Sequence, residues 1–203
     1  MKGILEHYQD LYLRHGDSPH AVQLSDKRSQ ERRFEILSQI AAQLGTVGDI
    51  GCGLGHFFAY LKRRGFRGSY KGVDFVPEFI EAARVKYADA PRARFSVCDI
   101  EKGALPTGCD YLFLSGVFNN KRRANERFMY STIGRMFRAA RKGVAFNAMS
   151  TYVDYQDKSL YYSDPLKVFD FCKRRLTSKV TLRHDYLVKD NSIPFEYAVY
   201  LYK

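Results

Sequence analysis

The sequence predicts a doubly wound α/β domain, with a seven-stranded, mostly parallel sheet, helices on both faces and an antiparallel last strand. Three observations predict it. Strand and helix patterns alternate from residue 46 onward. Strand segments such as CDYLFLSGVF are apolar throughout, which is typical of a sheet covered on both faces. The last two strand patterns flank the turn-like stretch KDNSIP, which predicts an antiparallel hairpin.

The amino-terminal part, residues 1–45, is predicted to be a helical segment that acts as a lid. Its first 24 residues show no long hydrophobic period. The stretch SDKRSQERRFEILSQIAAQLG repeats its apolar residues at helical spacing, so we predict a helix capped by Ser25 or Asp26 and ended by Gly45.

Residues 46–203 form the predicted core of a single domain spanning residues 1–203. The strands TVGDI, YKGVDF, ARFSVCDI, CDYLFLSGVF and GVAFNAMS alternate with the helices GHFFAYLKRRG, PEFIEAARVKYA and NERFMYSTIGRMFRAARKG. A tyrosine-rich segment at 151–165 is predicted to be a substrate loop. The helix PLKVFDFCKRRL and the strands KVTLRHDYLV and FEYAVYLYK complete the core.

The composition is that of a soluble globular protein, with 45% hydrophobic and 27% charged residues. No apolar run approaches the roughly 20 residues of a membrane helix, and charges interrupt the amino-terminal apolar residues too often for a signal peptide. We therefore expect a cytoplasmic protein without a membrane span. The cysteines are widely spaced, with no C-x-x-C pair and no nearby His cluster, so no metal site is predicted.

The formal net charge of +11 attracts polyanions such as nucleic acid or anionic lipid. Several basic clusters lie near the ends of predicted helices, where cations also complement the helix dipole. The charge alone leaves both interpretations open.

The stretch VGDIGCGLGHF, residues 47–57, lies at the first strand-to-helix turn, where sheets of this kind bind their ligands. A dinucleotide-binding turn has the spacing G-x-G-x-x-G/A, whereas here the spacing is G-x-G-x-G and His56 stands where Gly or Ala is required. Asp49 precedes the loop, where it would repel a pyrophosphate and would suit an ammonium group or a positive sulfur. S-adenosylmethionine carries both and has no phosphate, so the sequence favours it as the cofactor.

Two further carboxylates follow the next two predicted strands. Asp74 ends the second strand and can accept hydrogen bonds from both ribose hydroxyls. Asp99 ends the third strand, where it can accept a hydrogen bond from the adenine amine. One acidic residue at each of three consecutive strand ends indicates a single ligand site.

The chain resembles the class I (Rossmann-like, seven-strand) S-adenosylmethionine-dependent methyltransferases. The resemblance runs from about residue 25 to the C-terminus and rests on VGDIGCGLG, YKGVDFVPEFIEAAR, FSVCDI and CDYLFLSGVF. It implies a cofactor site in which Asp49 and the glycine loop hold the methionine part and Asp74 takes the ribose hydroxyls. Phe75 would flank the adenine, and Asp99 and Ile100 would read the adenine edge. The full implied set is Asp49, Gly51, Gly53, Gly55, Asp74, Phe75, Asp99, Ile100, Ser115 and Gly116.

The acceptor site is less defined, because methyl transfer needs positioning above all and a base only when the nucleophile must lose a proton. Members that methylate amino groups of nucleic-acid bases carry an (Asn/Asp/Ser)-Pro-Pro-aromatic motif after strand four. This chain has SGVFNN there, without prolines, which counts against base N-methylation.

We predict Asn119 and Asn147, near the ends of strands four and five, as groups that orient the acceptor, together with Asn120 and Ser150 as further polar candidates. His184 is the candidate base. Its neighbour Asp185 would point to the opposite face of a strand, so the two form no ready relay. His15 and His56 are the alternative histidines. The predicted substrate-binding residues are Tyr8, Tyr12, His15 and Tyr152.

The leading hypothesis is methyl transfer to an O or N atom of a small molecule, such as a sugar, an amino-acid derivative or a secondary metabolite. The net charge motivates an alternative, an RNA- or nucleotide-directed methyltransferase. A catalytically silent cofactor-binding module is the third hypothesis, against which the intact glycine loop and acidic residues argue.

Overall fold

The computed structural model describes residues 2–203 and confirms the predicted fold class. Its strands form one sheet in the order β3-β2-β1-β4-β5-β7-β6, in which β7 runs antiparallel to both of its neighbours and the other pairs are parallel. The strands are β1 (Val47–Ile50), β2 (Tyr70–Asp74), β3 (Ala93–Val97), β4 (Tyr111–Leu114), β5 (Gly143–Met149), β6 (Val180–Arg183) and β7 (Glu196–Tyr202).

The strand order reverses between β1 and β4, so the chain leaves these two neighbours in opposite directions across the sheet. This reversal opens a crevice at their carboxyl ends. The glycine loop follows β1 directly, and it therefore lies at the crevice.

Helices cover both faces of the sheet. One face packs against α2, α3 and α4 through a core that includes Phe34, Phe57 and Ile80. The other face packs against α5 and α6 through a core that includes Met129 and Val168. The helices are α1 (Lys2–His15), α2 (Lys27–Ser38), α3 (His56–Arg63), α4 (Pro77–Lys86), α5 (Asn125–Ala139) and α6 (Pro165–Arg175).

The amino-terminal segment differs from the sequence expectation in two ways. Its first residues form the regular helix α1, whose Tyr12 ring packs edge-on against Phe79 with centroids 5.6 Å apart. The next helix, α2, begins after Asp26, which caps it by accepting a hydrogen bond from Ser29 N at 2.7 Å, and ends at Ser38, well before Gly45. Two i→i+3 hydrogen bonds, from Gln39 N to Ile36 O and from Ile40 N to Leu37 O, end the helix with a turn of the 3₁₀ type.

The predicted strand at 179–188 is also too long. Strand β6 ends at Arg183, and residues 184–195 form a long connection rather than a tight hairpin around KDNSIP. The chain leaves the sheet because Tyr186 and Val188 turn inward and are buried in the core beside α2. No helix within residues 2–203 has the length and apolar character to cross a membrane.

Candidate functional site

A cavity of about 340 Å³ opens at the carboxyl ends of β1, β2 and β4, next to the reversal of strand order. Tyr8 of α1 and Arg33 of α2 also line it. The structure brings nearly all of the predicted cofactor residues to its wall, namely Asp49, Gly51, Gly53, Asp74, Phe75, Asp99, Ile100, Ser115 and Gly116. These residues, predicted separately from the sequence, thus lie together around one cavity.

Gly55 is the predicted cofactor residue that does not line the cavity. It is buried and forms the N-cap of α3, and its carbonyl accepts a hydrogen bond from the hydroxyl of Tyr87 at 2.9 Å. Its position is structural, because it starts the helix and anchors the end of α4.

The glycine loop uses its own amides internally. Gly51 N and Cys52 N both donate to Val73 O, at 2.8 and 3.0 Å, and Gly53 N donates to Asp74 Oδ2 at 2.8 Å. A phosphate-binding loop instead directs its free amides at the ligand. These amides of the loop are therefore not available to a phosphate group.

The loop approaches the opposite wall closely at Gly51, which has a φ of 74°. A Cβ built there would lie 2.3 Å from Val117 Cγ2, in the segment that follows β4. Glycine is required at this position both for the left-handed backbone and for the narrow gap.

Asp49 is buried at the end of β1, 3% exposed, and accepts a hydrogen bond from the hydroxyl of Tyr70. Burial raises the pKa of Asp49 to about 7, and the nearby Asp74 charge adds to the increase while Tyr70 opposes it. The environment thus disfavours the ionised form of the carboxyl in the free protein, and a nearby cation would stabilise that form.

Asp74 is also buried, and burial raises its pKa to about 6. Its two oxygens accept hydrogen bonds from the amides of Gly53 and Val76, at 2.8 and 3.0 Å. Each carboxylate oxygen has a second lone pair, so Asp74 can accept further hydrogen bonds while it fixes the glycine loop.

The third carboxylate, Asp99, lies in the turn that follows β3 and accepts a hydrogen bond from Glu101 N through Oδ1 at 3.0 Å. Phe75 and Ile100 supply apolar surface on the same wall. The set fits a ligand that is cationic at the Asp49 end, carries hydroxyl or amino donors and an apolar ring, and has no phosphate. S-adenosylmethionine has this chemistry.

A buried polar network that the sequence analysis did not identify supports the cavity from the β7 side. Arg33 Nε lies 3.0 Å from both oxygens of Glu196, and Arg33 Nη2 donates to Glu196 Oε1 at 2.6 Å. Asn147 Nδ2 donates to Glu196 Oε2 at 2.7 Å, while Asn147 Oδ1 accepts from Gly116 N at 3.0 Å. The network thereby connects α2 and β7 to the loop that follows β4.

Arg33 retains donor capacity toward the cavity that it lines. Its Nη1 donates to Ser29 O at 3.1 Å, and its Nε and Nη2 bind Glu196. A guanidinium has five N–H groups, so these contacts leave one N–H on Nη1 and one on Nη2, and two such groups can bind a carboxylate. A signal was present in the sequence, since Glu196 is the one charged residue of the strand EYAVYLY.

His56 starts α3 and lines the cavity, with both ring nitrogens in hydrogen-bonding contacts. Nδ1 lies 3.0 Å from Gln30 Nε2, and Nε2 lies 2.8 Å from Asp17 Oδ1. Burial lowers the pKa of His56, partly offset by Asp17. Asp17 also pairs with Lys86 at 2.6 Å, so these contacts hold the segment after α1 against α3 and α4.

Asn119 and Asn120, which the sequence suggested for the acceptor site, both line the cavity. The carboxamide oxygen of Asn119 is buried without a hydrogen-bond partner among the described residues. Asn120 Nδ2 donates to the hydroxyl of Tyr8 at 2.6 Å. The pKa of Tyr8 is raised to about 12, mainly because its hydroxyl is buried. Asn119 is thus uncommitted, whereas Asn120 and Tyr8 connect α1 to the cavity wall.

Several predicted site residues lie outside the cavity. Asn147 is buried, and its amide groups are engaged in the network with Glu196 and Gly116. His184 follows the end of β6 and packs against the rings of Tyr152 and Tyr197, with centroids 5.9 and 6.3 Å away. The structure therefore places neither Asn147 nor His184 where it touches the cavity.

The predicted substrate-binding residues also separate. Tyr8 lines the cavity, whereas Tyr12 packs on Phe79 and His15 is exposed at the end of α1. Tyr152 is 55% exposed. For the residues of α1, the rise along the helix explains the difference. Tyr12 and His15 lie one and two turns further along α1 than Tyr8, beyond the part of the helix that lines the cavity.

The loop at 151–165 contributes to the cavity through Leu160 rather than through its tyrosines. An isolated bridge pairs Asn120 with Leu160, and Tyr161 N donates to Asn119 O at 2.9 Å. The loop thus frames the segment that carries Asn119 and Asn120.

Comparison with known proteins gives consistent results. Residues 47–159 match the sequence profile of a family described as "Methyltransferase domain". A Mycobacterium tuberculosis protein assigned as a methyltransferase is 34% identical over 152 residues, covering 72% of this chain and 89% of the relative. Trans-aconitate 2-methyltransferase of Rhodopseudomonas palustris is 32% identical over 98 residues, covering 48% of this chain and 37% of the relative.

Solved structures share the fold at low sequence identity. Magnesium protoporphyrin IX methyltransferase of Synechocystis with bound S-adenosylhomocysteine has a TM-score of 0.65 at 12% identity, covering 86% of this chain and 84% of that one. Phosphoethanolamine N-methyltransferase 1 of Haemonchus contortus has a TM-score of 0.70 at 14% identity, covering 98% of this chain and 48% of that one.

Proposed function

The chain belongs to the methyltransferase domain family and is an S-adenosylmethionine-dependent methyltransferase, and we propose that it methylates an O or N atom of a small molecule. The cofactor part of this proposal rests on one feature of the site. Its loop amides are already hydrogen-bonded within the protein, and the carboxylates beside them are buried. Such a site opposes phosphate and suits a cationic ligand.

In the proposed arrangement, Asp49 pairs with the ammonium group of the methionine part and the two remaining N–H groups of Arg33 bind its carboxylate. Asp74 accepts hydrogen bonds from the ribose hydroxyls while it holds Gly53. Asp99 accepts from the adenine amine, with Phe75 and Ile100 at the ring faces, and Ser115 and Gly116 line the same pocket. The cofactor supplies a methyl group already activated by a positive sulfur.

The acceptor side offers no uncommitted general base among the described residues. Glu196 is engaged by Arg33 and Asn147, and both ring nitrogens of His56 have partners. The phenol of Tyr8, with its pKa of about 12, stays protonated at neutral pH. The site therefore suits an acceptor that needs no deprotonation by the protein, such as a neutral amine or an already ionised oxygen.

The enclosure of the cavity supports a small acceptor. Its size, about 340 Å³, lies at the lower end of the range of about 300–1,000 Å³ typical of small-molecule pockets. The cofactor would occupy part of this volume, so an acceptor that fits beside it is small. The side chains of Met149, Leu160 and Phe195 give it apolar surface, and α1 covers one side. The names of two similar proteins, which mention trans-aconitate and phosphoethanolamine, are consistent with small acceptors.

The experiment is transfer of a trideuteromethyl group from labelled S-adenosylmethionine to two separate pools, a low-molecular-weight metabolite extract and purified total RNA. We expect label in a small molecule, detected by mass spectrometry and absent with the Asp49→Asn variant. Label in RNA nucleosides without label in the metabolite pool would replace the small-molecule assignment by the RNA-directed one.

A further inference from the structure

The charges of the molecule are separated between the two ends of its sheet. The carboxyl ends of β1 and β2 and the turn after β3 carry the acidic residues of the cavity, Asp49, Asp74 and Asp99. The opposite end comprises the amino ends of the parallel strands and the carboxyl ends of α3, α5 and α6. This surface, here termed the basic end, carries Arg64, Arg67, Lys71, Arg92, Arg94, Arg138, Arg141, Lys142, Lys173, Arg175, Lys179 and Lys203.

Contacts between neighbouring segments make the basic end continuous. Arg92 Nη1 donates to Arg67 O at 2.6 Å, which joins the starts of β2 and β3. Lys203 Nζ lies 3.3 Å from Arg138 O, and Lys179 Nζ donates to Lys203 O at 3.1 Å. The contacts at Arg67 O and Arg138 O engage main-chain carbonyl groups, so they position Arg92 and Lys203 without neutralising their charge.

The centre of this surface lies around Gly108. A Cβ built on Gly108 would lie 3.6 Å from Arg141 Nη2 and 3.8 Å from Lys71 Nζ, so two cations from different strand starts flank one exposed turn. Lys71 Nζ donates to Thr107 O at 2.8 Å. Two like charges beside the same turn repel each other, and a bound anion would relieve that repulsion.

Few carboxylates oppose these cations. Asp110 pairs with Lys142 at 3.5 Å and also accepts a hydrogen bond from Thr46 N. Among the described residues, the side chains of Arg67, Arg138 and Arg141 make neither a salt bridge nor a side-chain hydrogen bond. The helix dipole accounts for single cations in last turns, but it does not account for those at the strand starts.

We propose that the basic end binds the phosphate backbone of a nucleic acid. Most of its cations are arginines, whose planar fork matches phosphate oxygens. The sheet is about 29 Å wide, which presents charge along a line as a nucleic-acid strand does. Of the large exposed apolar side chains, Val85 in the last turn of α4 lies toward this end, whereas others such as Leu166 and Ile193 lie near the opposite end. A single valine gives the surface little to insert into a bilayer.

This inference goes beyond the proposed function and does not depend on it. The seven residues of β5 separate the basic end from the cavity by about 23 Å. Nucleic acid bound there is a partner that localises the enzyme, and the bound segment is not the methyl acceptor.

The test measures fluorescence anisotropy of labelled 20-nucleotide single-stranded RNA and DNA between 50 and 200 mM KCl. The triple variant Arg67→Gln, Arg138→Gln, Arg141→Gln removes three uncompensated charges of the basic end. The matched control Arg123→Gln, Arg127→Gln, Lys167→Gln removes the same charge from exposed residues outside it. S-adenosylmethionine affinity, expected to be unchanged in both variants, reports that each is folded.

We expect the basic-end variant to bind RNA and DNA at least tenfold more weakly at 100 mM KCl, with a salt slope reduced by about 2 for three lost phosphate contacts. The control should change less than twofold. Equal loss in both variants would mean attraction by net charge alone and would overturn the proposal, as would absence of binding at 100 mM KCl. Binding to phosphatidylserine vesicles without binding to RNA or DNA would overturn it in favour of a membrane surface.

Discussion

The hydroxyl of Tyr70 donates a hydrogen bond to Oδ2 of Asp49, and both side chains are buried in the sheet. Asp49 has no described cation beside it, and its pKa is raised to about 7. The free protein therefore holds a carboxylate that is costly to ionise. A cationic ligand would remove that cost, which links stability to cofactor binding.

The first prediction concerns pH and stability. Because the pKa of Asp49 is about 7 in the folded protein and near 3.8 when unfolded, the folded state binds more protons between these values. Stability of the free protein should therefore fall as pH rises from 4 to 7 and level off above 7, and Asp74 acts in the same direction. Asp49→Asn should be more stable than wild type at pH 8, by up to about 4 kcal/mol.

Urea denaturation of the free protein at several pH values measures this effect. At pH 4 the variant and the wild type should have similar stability, which serves as an internal control. A variant less stable than wild type at pH 8 would contradict the assigned cost of ionising Asp49.

The second prediction concerns the ion pair of Arg33 and Glu196, whose side chains are 7% and 1% exposed. Glu196→Gln leaves a buried guanidinium without its counter-charge and should destabilise the protein by about 3–5 kcal/mol. The double variant Arg33→Met, Glu196→Gln should recover most of that stability, since no unpaired charge remains.

Even with its stability recovered, the double variant should bind S-adenosylmethionine at least tenfold more weakly than the wild type does, because it lacks the proposed contact of Arg33 with the cofactor carboxylate. Denaturation and calorimetry separate the two effects. Wild-type cofactor affinity in the double variant would show that Arg33 has only a structural role.

The third prediction concerns the close approach at Gly51. Gly51→Ala should cost about 1–3 kcal/mol of stability through its positive φ, and the contact with Val117 should add to this. Cofactor affinity should fall at least tenfold, because relief of the contact displaces the loop.

Gly65→Ala is the matched control for that change. Gly65 has a φ of 81° after α3 and no atom within 4 Å of a built Cβ, so alanine there carries the backbone cost alone. It should leave cofactor affinity unchanged. If the two alanine variants bound S-adenosylmethionine with equal affinity, the close approach at Gly51 would have no role in cofactor binding.

The fourth prediction distinguishes the two tyrosines of α1. Tyr8→Phe removes the hydrogen bond to Asn120 and should weaken cofactor binding about threefold to tenfold, because α1 then covers the cavity less firmly. Tyr12→Phe should change the affinity less than twofold, since its ring packs on Phe79. Isothermal titration of both variants tests this, and comparable losses would contradict it.

The sequence contained enough to predict the strand-end carboxylates and the glycine loop. Asp49 is the next-to-last residue of β1 and Asp74 is the last residue of β2. The apolar pattern of each strand is local, so the places of both carboxylates in the sheet follow from neighbouring residues. Asp99 follows β3 in the same manner, and the confirmed sheet order then brings the three to one end.

The Arg33–Glu196 pair joins positions 163 residues apart in the chain. The charge of Glu196 in its strand is visible in the sequence, but no local pattern identifies Arg33 as its partner. The end of β6 was mispredicted for a related reason. The segment at 184–188 alternates well enough for a strand, but the burial of Tyr186 and Val188 beside α2 removes it from the sheet. That choice between strand and core depends on tertiary packing, which local propensity does not encode.

The most direct test of the central claim is calorimetric titration of S-adenosylmethionine into wild-type protein and Asp49→Asn at pH 8, where Asp49 is ionised. The claim is that a buried carboxylate selects a cationic cofactor without phosphate. We predict binding by the wild type and at least a hundredfold loss in the variant, which keeps the shape of the side chain and lacks its charge. Equal affinity in the two proteins would contradict the claim.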